Sequence, residues 1–379
     1  MRARAASRSS LPIETPPAYA PRVQIHLPDS YAEGIDRFRT AADKAGAGTE
    51  RYDHPLFGPD REQLAVDVAR LGPEGASAAL LVISGTHGVE GFAGSACQVA
   101  WIESGRAERA AADVAVVLVH ALNPYGFAWI RRVNEDNVDL NRNGVDFDAP
   151  LPDNPGYEEL ADALVPERWD QETQDVTTAR ILEYAGRHGF PALQAAVSGG
   201  QYRHPTGLFY GGRAPSWSRG VLRDVVARHL GAAARVAVVD LHTGLGPFGV
   251  GELLGPRPGT SAWERARTWY GELTTPGEAD SVSAAISGDV LDVVGGGLPD
   301  DTEYTGVAIE WGTVDIVEVL QALRADAWLH AYGDPTGRDA PAIKAGLRAA
   351  FAPDDGDWAR LVGVRFEQVV GQAVAGLLG

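Results

Sequence analysis

His87 and Glu90 stand three residues apart in Thr86-His87-Gly88-Val89-Glu90-Gly91. From a short turn, that spacing brings an imidazole nitrogen and a carboxylate oxygen to one metal ion, and the flanking glycines let backbone approach an ion closely. Taken alone the pair has a plainer reading, with His87 as a turn histidine bonding local carbonyls. The chemistry therefore needs a third ligand from elsewhere in the chain. His242, in Asp240-Leu241-His242-Thr243-Gly244, supplies one, and Glu310, in Ile309-Glu310-Trp311-Gly312, supplies a further carboxylate. Two His and one Glu, with a fourth position left for water, make a catalytic zinc shell. A carboxylate beside that shell can take the proton of the attacking water. The residues thus read as His87, Glu90 and His242 on one zinc ion (Zn2+) per chain, with Glu310 as general base. His120 competes for the third ligand place, and Glu310 has the alternative role of capping a helix that starts after Gly312.

The elements that must position these groups are apolar runs. Ala79–Ile83, Val114–Val119, Val236–Val239 and Gly306–Ile309 are continuous enough to be strands buried on both faces, and each ends at or just before one of the candidate residues. Strand, helix, strand in succession implies parallel pairing, and open α/β sheets place their sites at the carboxyl ends of such strands. Helices are expected at Tyr31–Ala47, Ser95–Ser104, Gln171–Arg187, Trp217–Leu230, Asp315–Leu329 and Trp358–Leu378, and a further strand at Leu64–Leu71. Ala128–Asn143, dense in Asn, Asp and Arg, reads as a structured loop. Gly144–Pro166 is acidic and Pro-rich and reads as an irregular excursion. Ser198–Gly212 is a second glycine-rich loop whose Tyr202 and His204 either line a substrate pocket or pack a structural turn. The fold expected is three-layer α/β/α with a mixed, mostly parallel central sheet.

Composition narrows the rest. The chain has 379 residues, 45% of them hydrophobic, with a formal net charge of -18. That charge argues against nucleic-acid or anionic-membrane partners. The single cysteine, Cys97, permits no intrachain disulfide, and the N-terminal stretch has no apolar core of signal-peptide type. No apolar run is read as a membrane span. The expectation is a cytoplasmic protein with a flexible arm over residues 1–22 and a single catalytic domain over 23–379.

Five spaced motifs extend the reading: SGTHGVEGFAGS, NPYGFAWIRRVNEDNVDLNRN, QYRHPTGLFYGG, VDLHTGLG and IEWGT. In content and order they resemble the zinc metallocarboxypeptidase superfamily, which holds carboxypeptidase A and, more distantly, succinylglutamate desuccinylase and aspartoacylase. The fuller wording is similar to a bacterial group of unassigned function within it. The resemblance implies His87, Glu90 and His242 as zinc ligands and Glu310 as base. It implies Asn141 and Arg142 as the pair holding the substrate's free carboxylate, and Asp139 as the group orienting His87. It also implies an arginine upstream that supports the scissile carbonyl, read as Arg132 with Arg131 the alternative. The tyrosine that carboxypeptidases carry on a loop before the base has no match in Ser281–Asp292, and Tyr304 lies too close to Glu310 to take that role. The function expected is hydrolysis of an amide bond next to a free carboxylate, on a peptide or a small-molecule N-acyl amino acid. A non-catalytic carboxylate-binding protein is the rival.

Overall fold

The computed structural model describes residues 24–278 and 281–379. The expected arm over residues 1–22 lies outside the described residues. Seven strands form one sheet: β1 (Gly48–Phe57), β2 (Gln63–Leu71), β3 (Ala78–Ile83), β4 (Ala115–His120), β5 (Arg235–Phe248), β6 (Gly251–Leu254) and β7 (Glu303–Gly312). Their order is β1-β2-β4-β3-β5-β7-β6. The β3–β4, β3–β5 and β5–β7 pairs are parallel, whereas β2 and β6 run against their neighbours. Five strands therefore share one direction, and the four apolar runs form the centre.

Alternation along those central strands feeds two cores. Leu80, Val82, Val116, Leu118 and Val239 face the helices Tyr31–Lys44, Gly91–Glu103, Ser261–Tyr270 and Gly356–Leu378. Leu81, Ile83, Val117, Val119 and Val238 face the helices Trp217–His229 and Val290–Gly295. A third cluster joins Val89, Phe92 and Phe127, beyond the carboxyl ends of β3 and β4, to the helices Pro155–Leu164, Gln171–His188, Phe190–Ser198, Ile316–Ala331 and Ala340–Phe351. This third cluster walls the sheet edge where the candidate residues gather.

Some elements differ from expectation. Gly144–Pro166 is not irregular throughout, because Pro155–Leu164 is helical. Asn154 accepts a hydrogen bond from Tyr157 N–H at 3.0 Å, and Pro155 sits where a helix tolerates it best. The helix after the first glycine turn begins at Gly91, and every residue from Gly91 to Ile102 is buried, so it has no polar face to give it a visible period. Asp315, not Glu310, caps the helix Ile316–Ala331, accepting from Val317 N–H at 2.9 Å. The helix Gly356–Leu378 is long and apolar enough to cross a membrane by length and composition. Asp357, Arg360, Arg365 and Glu367 interrupt its run in sequence, and its Trp358, Val362, Phe366 and Val369 pack into the core.

Candidate metal centre

The chain leaves β3 through Ser84 and Gly85 and turns at once. Gly85 has φ +63°, and a Cβ there would lie 2.6 Å from the Ala121 Cβ; at Gly88 a Cβ would lie 1.9 Å from the Gly126 carbonyl carbon. Only glycine lets the turn settle this deeply against the segment that follows β4. The short turn Gly88–Glu90 then presents His87 and Glu90 inward. β5 brings His242 alongside, level in register with Glu310 on β7.

Three donors converge there. His87 Nδ1 lies 2.9 Å from Glu90 Oε1, His242 Nδ1 lies 2.9 Å from Glu90 Oε2, and the two Nδ1 atoms are 3.1 Å apart. All three residues are buried. Behind them, His87 Nε2 meets Asp139 Oδ1 at 3.2 Å and His242 Nε2 meets Asp240 Oδ2 at 2.5 Å. With a cation bound, each Nε2 would donate to its carboxylate and each Nδ1 would turn its lone pair toward the ion. Two lone pairs and a carboxylate at such distances repel one another unless a proton or a cation lies among them. Donors bound to zinc at about 2.0–2.1 Å in a tetrahedron stand about 3.3 Å apart, a few tenths beyond the separations seen. The donor set fits a zinc-class ion.

The charges agree. Burial raises the Glu90 carboxyl, but His87 and His242 outweigh it and hold it well below the usual range. Burial lowers the His242 imidazole, but Asp240 and Glu90 outweigh that and raise it well above its ordinary value. A cation would thus replace a proton on His242. Asp139 is also kept ionised, chiefly by Arg132 and Arg142 against its burial. Asp240 was not among the residues singled out from sequence. The signal was present, since residues two apart on a strand share a face. Asp240 is steadied in turn by Thr86, whose hydroxyl donates to its Oδ1 at 2.7 Å.

The structure separates the two upstream arginines. Arg132 donates through Nε to Asp139 Oδ2 at 3.1 Å and through Nη1 to Glu90 Oε1 at 3.2 Å. Arg131 turns the other way, to Asp326 Oδ2 at 3.1 Å and Asn137 Oδ1 at 2.9 Å. Arg142 is buried, with its guanidinium 5.6 Å from the Phe209 ring centre. It donates to the carbonyls of Asn141 and Ser198, and among the described residues it bonds no carboxylate and its buried Nε has no hydrogen-bond partner. Asn141 Oδ1 accepts from Val290 N–H at 3.0 Å.

Glu310 is buried, and its Oε1 accepts from Leu245 N–H at 2.9 Å. Burial, aided by the Glu90 charge, pushes its carboxyl up to about 7 against the pull of His242, the Leu245 N–H and Arg132. Tyr202 lies behind Arg142, donating its hydroxyl to the Arg142 carbonyl at 2.7 Å. His204 pairs with Glu158 at 3.1 Å and packs near Tyr157. His120 lies elsewhere, bonded to Ser95 at 2.8 Å and stacked on Phe38. Burial holds its imidazole down at about 3, hence neutral. Tyr304 donates its hydroxyl to the Leu291 carbonyl at 2.9 Å.

Several solved structures are similar to this chain. Carboxypeptidase A from Helicoverpa armigera is 11% identical over 87% of this chain and 75% of that one, with a TM-score of 0.43. A metallo-carboxypeptidase from Pseudomonas aeruginosa, in complex with (2-guanidinoethylmercapto)succinic acid, is 15% identical over 90% and 69%, at 0.38. A succinylglutamate desuccinylase from Silicibacter is 14% identical over 80% and 65%, at 0.38. No curated protein matches the chain. The family described as "Protein of unknown function (DUF2817)" matches residues 28–365, and the chain belongs to that family.

Proposed function

We propose that the protein is a zinc-dependent hydrolase that cleaves an amide bond next to a free carboxylate. The observation that carries this reading is the buried triangle of His87 Nδ1, Glu90 and His242 Nδ1, with a carboxylate behind each imidazole. A zinc ion held there would supply Lewis acidity, polarising a carbonyl and lowering the pKa of water.

The remaining work falls to side chains. Glu310 takes a proton from the attacking water and returns it to the leaving amine. Arg132, whose side chain is 16% exposed, lies beside Glu90 with guanidinium surface still free to support the negative charge that develops on the carbonyl oxygen. Arg142, buried and paired with no carboxylate among the described residues, takes the substrate's carboxylate in a charge-assisted pair, with Asn141 beside it.

The test combines metal content and substrate chemistry. The purified protein should hold about one zinc per chain, and His242→Ala should lose most of it. A screen of C-terminal peptides against N-acyl amino acids should find turnover only where a carboxylate is free. Amidating that carboxylate should lower kcat/KM by roughly 30- to several-thousand-fold, the equivalent of about 2–5 kcal/mol. The amidation loss should nearly vanish in Arg142→Ala, because both changes break one interaction. Full zinc retention in His242→Ala sinks the ligand set, and losses that add sink the carboxylate clamp.

A further inference from the structure

The metal turn hangs on two carbonyls. Val89 N–H donates to Arg131 O at 2.8 Å, and Gly88 N–H donates to Arg132 O at 3.1 Å. The residue before them, Ile130, has φ 48°, a left-handed conformation that is strained for a β-branched side chain and persists only where its surroundings impose it. Those surroundings include a buried charge cluster that the chemistry above does not use. Asp326, on the helix Ile316–Ala331, accepts from Arg131 Nε through Oδ2, and from Lys344 Nζ through Oδ1 at 2.5 Å. Lys344, on the helix Ala340–Phe351, also donates to Ile130 O at 3.3 Å and to His330 Nε2 at 2.8 Å. Burial and the nearby Arg131 charge drop the His330 imidazole to about 3, so it stands neutral and accepts. Burial raises the Asp326 carboxyl, but Arg131 and Lys344 outweigh it and keep it an anion. One carboxylate thus anchors two cations, one of them on the strained peptide.

We propose that Asp326 is a positioning residue: with Lys344 it holds the Ile130–Arg132 segment, whose carbonyls set the His87–Glu90 turn and whose Arg132 guanidinium rests on Glu90 and Asp139. This rests on the metal role assigned to that turn. Asp326 acts through Arg131 and Lys344 and touches neither metal nor substrate.

The experiment measures zinc affinity by chelator competition, far below the unfolding temperature, in wild type, Asp326→Asn, Lys344→Met and Leu222→Ala. Leu222 is buried on the helix Trp217–His229, in the core that Leu81, Val117 and Val238 face, and belongs to neither the Asp326 cluster nor the Ile130–Arg132 segment, so its truncation loosens the fold without removing those contacts. Asp326→Asn should weaken zinc binding about tenfold, the lower end of what outer partners of a metal site contribute. Lys344→Met, which leaves the Asp326–Arg131 bond, should weaken it less, and Leu222→Ala should leave it at the wild-type value. On a turned-over substrate, Asp326→Asn should lower kcat while KM, set by Arg142, moves less than about twofold. If Asp326→Asn fails to fold, Lys344→Met carries the comparison. Wild-type affinity in Asp326→Asn, or in Lys344→Met where that is the variant measured, overturns the inference, as does equal weakening in Leu222→Ala. A wild type that binds no zinc overturns this inference and the proposed function together, and that result appears before any variant is compared.

Discussion

Glu310 gives the sharpest expectation at the scale of single residues. A carboxyl raised as this one is keeps its proton below its pKa and cannot serve as a base. Activity should therefore fall as pH drops through that value, tenfold in kcat/KM per unit once below it. A bound cation pulls the carboxyl down, so the acid limb should lie below pH 7 in the zinc form. Glu310→Gln should lower kcat by roughly 10²–10⁴-fold, keep zinc, and flatten the limb. A limb that survives the substitution would give the titration to another group. His87, His242 and Glu310 were legible because each closely follows an apolar run, and Glu90 because it stands three residues after His87. Asp240 was not, since a carboxylate inside such a run reads as part of the strand until its partner is known. The two arginines were inseparable in sequence, because what turns Arg131 away is Asp326, 195 residues further along.

At the scale of elements, the turn that carries His87 and Glu90 depends on the absence of a side chain. Gly88→Ala would drive a Cβ to 1.9 Å from the Gly126 carbonyl carbon, so backbone must move. The variant should lose most of its zinc while retaining its far-ultraviolet circular dichroism, because the strands on either side are held by their own cores. Zinc content equal to wild type would mean that the turn relaxes without carrying His87 and Glu90 with it. The central strands announced themselves by unbroken apolar runs, and the long helices by their spacing. β1 did not, because it is an edge strand with mostly exposed or half-buried positions and a proline. β6 did not either, because four residues give no period. The helix Phe190–Ser198 stayed hidden for a similar reason: it is short and carries Pro191 in its first turn.

For the whole molecule, charge sets an expectation that no single contact does. A net charge of -18 surrounds the site proposed to take a carboxylate. The exposed charges are screened by salt much more than Arg132 and Arg142, which lie mostly inside. Raising ionic strength from about 0.01 to 0.15 M should therefore raise kcat/KM a few-fold for carboxylate substrates and leave amidated ones unchanged. A fall with salt would mean that local attraction outweighs the remote repulsion. The helix Gly356–Leu378 has a different consequence. Its Trp358 indole donates to Gly312 O at 2.9 Å, two residues past Glu310, while Thr243 and Thr313 donate to carbonyls of Phe351 and Ala350. The strand ends carrying His242 and Glu310 are thus braced by chain made well after His87. On a ribosome adding about 5–20 residues per second, His87 is synthesised roughly 15–60 seconds before that helix is complete. Through that interval the nascent chain carries its first candidate ligands without the brace, so order of synthesis delays the finished site until the helix Gly356–Leu378 has docked.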